Sequence, residues 1–349
     1  MARVAAVNGL TIPQLLEYAG DTPSHSQILH VDYDASRSLI AGLAQACRIS
    51  QDSLAEINLR VQLPNAPTSL FLPVVHNVRN GYKRSAIAIP SCHACLGDRE
   101  RMGTTPYWKV EWALALVSRC PKHLARLSEY CRHCLLGMLS LGVQPKHGGL
   151  VVRCTACFQA TAFHPLPDPP GSSPLTQLVA IMGQALASAC QGLDPDPMWL
   201  GPVDAALFLS VVDDLIWFFM DGNLDGGYPL VGQHAPATDS EMSAIRRTRW
   251  QRPLNLLTVR QREMVAAAVA IALLGTRITE RFELDTRFPV PVSKLDSYPF
   301  SSVMRSSMRD RSTEIAERIA RWPMVLKERA LRYLPTAVRT SPRPGSPRT

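Results

Sequence analysis

The sequence predicts a mainly α-helical, multidomain protein with two small tandem metal-knuckle units, of zinc-ribbon or zinc-finger type, in its middle. Three observations carry this. Apolar residues recur at helical spacing behind recognisable caps on both flanks. Seven of the nine cysteines fall between residues 92 and 157, mostly in pairs separated by two residues. Charge is distributed in blocks: residues 1–164 carry 16 Lys/Arg against 10 Asp/Glu, 165–245 carry ten acidic residues and no Lys or Arg, and 246–349 carry 21 basic residues against nine acidic ones. A chain of 349 residues with 46% hydrophobic and 19% charged residues is long and apolar enough for two or three folded domains. These signals divide it into a helical segment 1–61, a double knuckle region 62–164, an acidic helical region 165–245, a basic helical region 246–337 and a disordered tail 338–349.

Residues 1–61 read as helical. Thr11-Ile12-Pro13-Gln14 has the Thr-x-x-Gln form of a capping box leading into Leu15-Leu16. A second helix is expected after Asp34, with Leu39, Leu43 and Cys47 along its inner stripe. Ser50 suits the N-cap of a third over 51–59. The short joint Arg48-Ile49-Ser50, with Ala44, Ile49, Leu54 and Ile57 at apolar positions, makes the pair resemble a helix-turn-helix. Arg48 stands where such turns often use Gly to turn left-handed, and Asp52 and Glu56 are poor neighbours for phosphate. The pair is therefore as good a packing or docking element as a DNA reader.

Residues 62–90 are proline-rich and then β-like, with Ala86-Ile87-Ala88-Ile89 running into the first knuckle. The ligand pairs are Cys92-x2-Cys95, Cys120-x2-His123, Cys131-x2-Cys134 and Cys154-x2-Cys157. Eight ligands suffice for two tetrahedral Zn2+ ions. A two-residue gap is a tight knuckle that aims both side chains at one metal. Gaps of 24, 7 and 19 residues between pairs let each ion close a unit too small for an apolar core. Taken consecutively, the quartets are Cys92, Cys95, Cys120 and His123, then Cys131, Cys134, Cys154 and Cys157. A disulfide framework would need an oxidising compartment. No basic stretch followed by an apolar one opens the sequence, so the expected setting is a reducing cytoplasm. Thr105-Pro106 predicts a helix start, with Trp108, Trp112, Ala115 and Leu116 on one face as a small apolar centre. His93 and His133 lie inside knuckles and are expected to point away from the metal. Residues 158–163 read as a closing strand, and Cys47 and Cys190 as buried structural thiols.

The setting of these ligands resembles a known family. Ser91-Cys92-His93-Ala94-Cys95-Leu96, Pro106-Tyr107-Trp108-Lys109, Trp112, Cys120-Pro121-Lys122-His123, Leu127, Cys131 and Cys134 together resemble the TniQ/TnsD transposon target-selection proteins over about 70 residues. Their signature is a Cys-x-x-Cys-Leu knuckle, a Trp-bearing helix, a Cys-Pro-x-His, a Leu and a further Cys-x-x-Cys. Arg3-Val4-Ala5 and Asn8-Gly9 echo the family's N-terminal segment. The stretch usual upstream of it is absent, which leaves a late-assigned start or a truncated unit as readings. The resemblance implies a non-catalytic factor of DNA transposition that marks or reads the target site. It would recruit an AAA+ ATPase regulator that directs the transposase, on DNA or on an RNA-guided complex, often as a homodimer. Two other readings stay open. The pair order is that of a RING module, though RINGs use two or three residues where seven separate His123 from Cys131. A generic zinc-ribbon DNA-binding regulator would share the same chemistry.

Beyond the knuckles, the Pro- and Gly-rich stretch 168–174 reads as a linker. Apolar helices are expected over 175–189 and 204–220. Asp213 and Asp214 on the second are read as a solvated face, since no His or further carboxylate cluster stands near to make an acid/base site. No nucleophile elbow or phosphate-cradling loop is present, so no enzymatic activity is expected. The apolar stretches are too short, or too broken by these acids, to span a bilayer. Thr258-Val259-Arg260-Gln261 is a second capping box, opening a helix buried on all sides that ends at Gly275. Residues 310–322 and 323–334 form a helix pair split by Pro323. Arg246, Arg247, Arg249 and Arg252, flanking Trp250, are the candidate DNA contacts, dense enough to follow a phosphate backbone. The acid-only stretch 165–245 is the candidate protein-docking side.

Overall fold

The computed structural model describes residues 12–19, 35–56, 58–72, 76–79, 82–85, 90–134, 139–143, 150–154, 156–160, 173–221, 254, 257–282, 292–296, 300 and 312–333. The chain is mainly α-helical and forms two compact units. The first comprises Met1–Ala66, Phe71–Ala115 and Arg119–Pro170; the second comprises Pro67–Leu70, Leu116–Ser118 and Gly171–Thr349.

The first unit opens with helices α1 (Ile12–Tyr18), α2 (Arg37–Cys47), α3 (Gln51–Glu56) and α4 (Leu59–Gln62). Leu15, Leu39, Leu43, Ala44 and Leu54 make one buried cluster, so α1, α2 and α3 close on the stripe that the apolar spacing marks. Ser36 caps α2 by accepting from Leu39 N at 3.1 Å, and Ser50 caps α3 by accepting from Ser53 N at 3.1 Å. Gly42 is required where α1 meets α2, because a Cβ there would collide with the Ala19 carbonyl oxygen. Arg48 adopts the left-handed conformation, φ 55°, without the help of glycine. Ile49 corrects the expectation of an apolar inner position: it is 44% exposed, because the left-handed Arg48 swings the chain outward before α3 begins.

A hairpin follows, β1 (His76–Arg79) pairing antiparallel with β2 (Tyr82–Ser85). Helix α5 (His93–Arg101) then starts on the first knuckle itself. The helix expected from Thr105-Pro106 does not form; residues 104–109 are irregular and Val110–Ala113 is a single 3₁₀ turn. Tertiary pairing overrides the cap signal, since Leu72 N donates to Ala113 O at 2.8 Å and Phe71 bridges to Leu114. Trp112 is nonetheless fully buried, while Trp108 is only half-buried. A second hairpin pairs β3 (Leu139–Val143) with β4 (Leu150–Cys154). Of the closing strand expected over 158–163, residues 161–163 lie outside the described residues, and the described part makes one bridge, Arg153 to Ala160.

The second unit packs three helices pairwise: α6 (Pro174–Cys190), α7 (Ala205–Asp221) and α8 (Val259–Leu274). Ser173 caps α6, and both halves of the Thr258/Gln261 capping box form at the start of α8. Every residue from Met264 to Leu274 is buried. Each such Leu, Ile or Val stabilises the fold by about 1.5–3 kcal/mol relative to exposure. A short turn of helix, α9 (Ile278–Arg281), follows, and α10 (Ser312–Ala320) and α11 (Met324–Tyr333) flank Pro323 as expected.

Buried and half-buried arginines serve this unit as internal hydrogen-bond donors. Arg262 donates to Leu257 O at 2.7 Å, and Arg277 to Trp199 O at 2.7 Å and Leu273 O at 3.0 Å. Arg329 lies above the Phe300 ring, and burial pulls its guanidinium down to about 10. Gly275, at φ 54°, leaves the space in which the Arg329 guanidinium and the Asp296 carboxylate sit.

The solvated reading of Asp214 is corrected. Asp214 is 2% exposed. It accepts from Arg318 at 2.6 Å, from the Trp322 indole N–H at 2.9 Å and from Arg321 at 3.4 Å. Arg318 also stacks on Trp217, 4.3 Å from the ring centroid. Asp213 faces the other way, about 100° around the helix, and accepts from Ser69 Oγ at 2.8 Å. The carboxylate pair thus fastens α10 and the segment Pro67–Leu70 to α7. Acidic and basic thirds of the sequence neutralise each other here, so neither block is wholly a free surface.

Candidate metal centres

The two consecutive quartets each gather around a point. In each, the four ligand atoms lie within 4.8 Å of one another. A RING-type cross-brace, with Cys92/Cys95 sharing a site with Cys131/Cys134, is not the grouping seen.

In the first quartet, Cys92 is the N-cap of α5 and Cys95 lies in its first turn. The helix N-terminus, with its unpaired N–H groups, favours thiolates there. Cys120 and His123 come from the tip of a tight turn. Cys120 N donates to Ala125 O at 2.9 Å, Leu124 N returns to Cys120 O at 2.8 Å, and Leu124 takes φ 53° to close it. Arg119 braces that turn by donating to Leu124 O at 2.6 Å. His123 Nδ1 lies 3.4, 3.3 and 3.6 Å from the sulfurs of Cys92, Cys95 and Cys120, and Cys95 and Cys120 are 3.5 Å apart. A tetrahedral ion with Zn–S near 2.3 Å and Zn–N near 2.0 Å would set about 3.8 Å between sulfurs and about 3.5 Å between sulfur and nitrogen. The quartet fits such an ion. It does not fit a disulfide, whose sulfurs lie about 2.05 Å apart.

The protons tell the same story. Cys120 is held far below the ordinary thiol range, because the Cys92 and then the Cys95 thiols hydrogen-bond to its sulfur. Cys92 is correspondingly pushed up, and Cys95 rises to about 11, the contact with Cys120 being the largest cause in both. A divalent ion would displace the thiol protons from all three sulfurs.

His123 is oriented from behind. Its Nε2 lies 3.1 Å from Asp98 Oδ2, so a neutral imidazole donates there and presents Nδ1 to the sulfurs. Asp98 also accepts from Lys122 at 2.7 Å and Arg101 at 2.6 Å. The Lys122 bond, then the Arg101 bond, hold its carboxyl below the usual range against the opposing effect of burial. Sequence reasoning missed Asp98 because it placed no helix after Cys95. The charged run Asp98-Arg99-Glu100-Arg101, following a knuckle, is the signal that could have found it.

The second quartet has Cys131 and Cys157 sulfurs 3.8 Å apart and those of Cys134 and Cys154 at 3.5 Å. Backbone N–H groups turn toward the sulfurs. His133 N donates to Cys131 at 3.4 Å, and Ala156 N and Cys157 N donate to Cys154 at 3.3 and 3.4 Å. These are the bonds a tight knuckle offers a thiolate. Cys134 and Cys157 are half-buried, so this centre is more open than the first. Phe158, at φ 59°, turns the chain back so that Cys154 N reaches Gln159 O at 3.0 Å.

Of the other candidates, His93 is buried and His133 exposed, and neither belongs to a quartet. Cys190 is buried, which pushes its thiol up to about 12, whereas Cys47 is half-buried. Arg246, Arg247, Arg249 and Arg252, with Trp250, lie outside the described residues, as do Ala86–Ile89. In the N-terminal helix pair, α3 is six residues long and exposes Asp52 and Glu56. Among the described residues, no helix is long and apolar enough to cross a membrane.

Residues 1–127 match the model of the TniQ family. Over those residues the chain is similar to that family. That match takes in the N-terminal helices, the whole first quartet and Asp98, and ends before Cys131. No curated protein matches the sequence.

Proposed function

We propose that this chain is a non-catalytic DNA transposition factor that selects or marks the target site and recruits an AAA+ ATPase regulator and, through it, the transposase. The observation that carries the reading is the TniQ match ending on a sulfur-and-imidazole quartet fit for a metal. Both ions are proposed to be Zn2+, since three or four thiolates at tetrahedral spacing select a soft, four-coordinate metal. Cys92, Cys95, Cys120 and His123 would hold one, and Cys131, Cys134, Cys154 and Cys157 the other. Neither quartet leaves a ligand position for a substrate, so the ions serve as scaffolds. The only adjacent carboxylates in the described helices, Asp213 and Asp214, are engaged in packing, which supports a role without catalysis.

DNA contact is assigned to Arg246, Arg247, Arg249 and Arg252. Arg262, Arg277, Arg318 and Arg329 of the same basic third bond groups of their own unit, so they are poor alternatives. The working compartment is a reducing cytoplasm. The test is a mobility-shift titration at several salt concentrations with the quadruple Arg→Ala variant. Affinity should fall for all sequences and the salt slope should flatten, with metal content unchanged. Unchanged binding at every salt would move the contact to another part of the chain or to a partner. Recruitment is tested separately, by asking whether insertion at the preferred target and co-purification of the AAA+ ATPase both disappear when the chain is deleted.

A further inference from the structure

The first unit holds a connection between the two metal centres that neither ligand set explains. Helix α5 begins on Cys92 and carries Cys95, and two turns in it carries Glu100. Glu100 Oε1 accepts the backbone N–H of Val152 at 2.5 Å. Val152 is fully buried and lies in β4, the strand that ends on Cys154 of the second quartet. On one side β4 pairs with β3. On its other edge Cys154 N is taken by Gln159 O at 3.0 Å, and Val152 N, two residues earlier on the same edge, is taken by Glu100. Glu100 therefore stands where a further strand would supply an acceptor. A second link runs in parallel: Ser91, next to Cys92, exchanges two bonds of 2.9 Å with Ser128, three residues before Cys131.

We propose that Glu100 couples the two metal centres, so that closing the first quartet positions the strand that delivers Cys154 to the second. This rests on the metal reading above. When an ion joins Cys92 and Cys95 to Cys120 and His123, α5 is fixed at its start, and the Glu100 carboxylate is fixed with it. The carboxylate then holds a buried N–H that would otherwise lack an acceptor, a charge-assisted bond stronger than a neutral one. Linkage makes the effect reciprocal: filling the second centre tightens the first by the same factor. Glu100 is a positioning residue and not a ligand.

The experiment is a competition titration of the full chain with a chromogenic zinc chelator. Glu100→Ala and Glu100→Gln are compared in the intact chain and in a Cys131→Ser/Cys134→Ser background that removes the second centre. Expected is a loss of first-centre affinity on the order of tenfold for Glu100→Ala in the intact chain, with no change in the background lacking the second centre. Glu100→Gln, which keeps an acceptor oxygen, should retain most of the affinity. An equal loss in both backgrounds means that Glu100 only steadies its own helix, and overturns the proposal. Should the double Cys variant not fold, amide exchange at residues 150–154 decides. It should quicken in both Glu100→Ala and Cys92→Ser, and unchanged exchange in either overturns the coupling. Fewer than two zinc ions in the unaltered protein would instead defeat the metal reading itself.

Discussion

Helix Val259–Leu274 of the second unit is buried over almost its whole length, and α6 and α7 pack on it and on each other. Helix His93–Arg101 of the first unit buries only its first five residues, and two of its anchors are the ligands Cys92 and Cys95. One region has apolar surface enough to fold on; the other is loops, turns and two-stranded hairpins around eight ligand atoms. The difference teaches where each sequence signal can be trusted. Where an apolar core decides the structure, caps and periodicity suffice. Where a metal does, the ligands dominate and the segments between them bend to suit.

The comparison breaks most sharply under metal removal. A strong chelator should unfold residues 90–160 while the α6–α8 core keeps its helices, because each structural zinc ion supplies on the order of 10 kcal/mol of folding free energy. Hydrogen exchange with mass spectrometry reads the two regions separately. Equal protection of both after chelation would mean that the first unit does not depend on its ions.

A smaller effect is expected from Asp214→Ala. It strands Arg318 and the Trp322 indole N–H in a buried site, and should cost about 3–5 kcal/mol by thermal or urea unfolding of the second unit. Zinc content should not change. That carboxylate also shows what the sequence conceals. Asp213 and Asp214 are adjacent letters, but the helix separates them by about 100°, and Arg318 and Trp322 lie over a hundred residues away. No local pattern names that partner.

Much else was legible. The caps at Ser50 and Thr258, the helices at 174–190, 205–221 and 259–274 and the break at Pro323 follow from local chemistry, and the structure has them. The spacing of the four pairs told which residues would converge, since a knuckle is a local device. Asp98 and Glu100 were not legible, because their roles depend on α5, a helix nucleated by the knuckle and not by an apolar stripe. The helix expected after Pro106 failed for the opposite reason: a sound local start lost to pairing of Ala113 and Leu114 with Phe71 and Leu72.

Within the first centre, Asp98→Ala should lower zinc affinity about 10- to 100-fold by releasing the His123 ring, while leaving the second unit's unfolding untouched. Chelator competition measures it, and unaltered affinity would show that the ring is held by its neighbours alone. The smallest effect concerns Cys190. Burial raises its thiol from 9.0 to about 12 in the folded state, so the folded chain keeps a proton that the unfolded chain loses. Its contribution is fully present below pH 9 and lost as pH rises through that window. The second unit should therefore weaken in mild alkali, and Cys190→Ala should reduce that slope in denaturant titrations at pH 8 to 10.

The grouping of the ligands is open to one direct measurement, zinc stoichiometry in paired Cys→Ser variants of the full chain. The unaltered protein should hold two ions. Cys92→Ser with Cys120→Ser should leave one, since both fall in the same quartet, and Cys92→Ser with Cys131→Ser should leave none. The reverse result, none from the first pair and one from the second, would mean a cross-braced arrangement and contradict the consecutive quartets on which the whole reading stands.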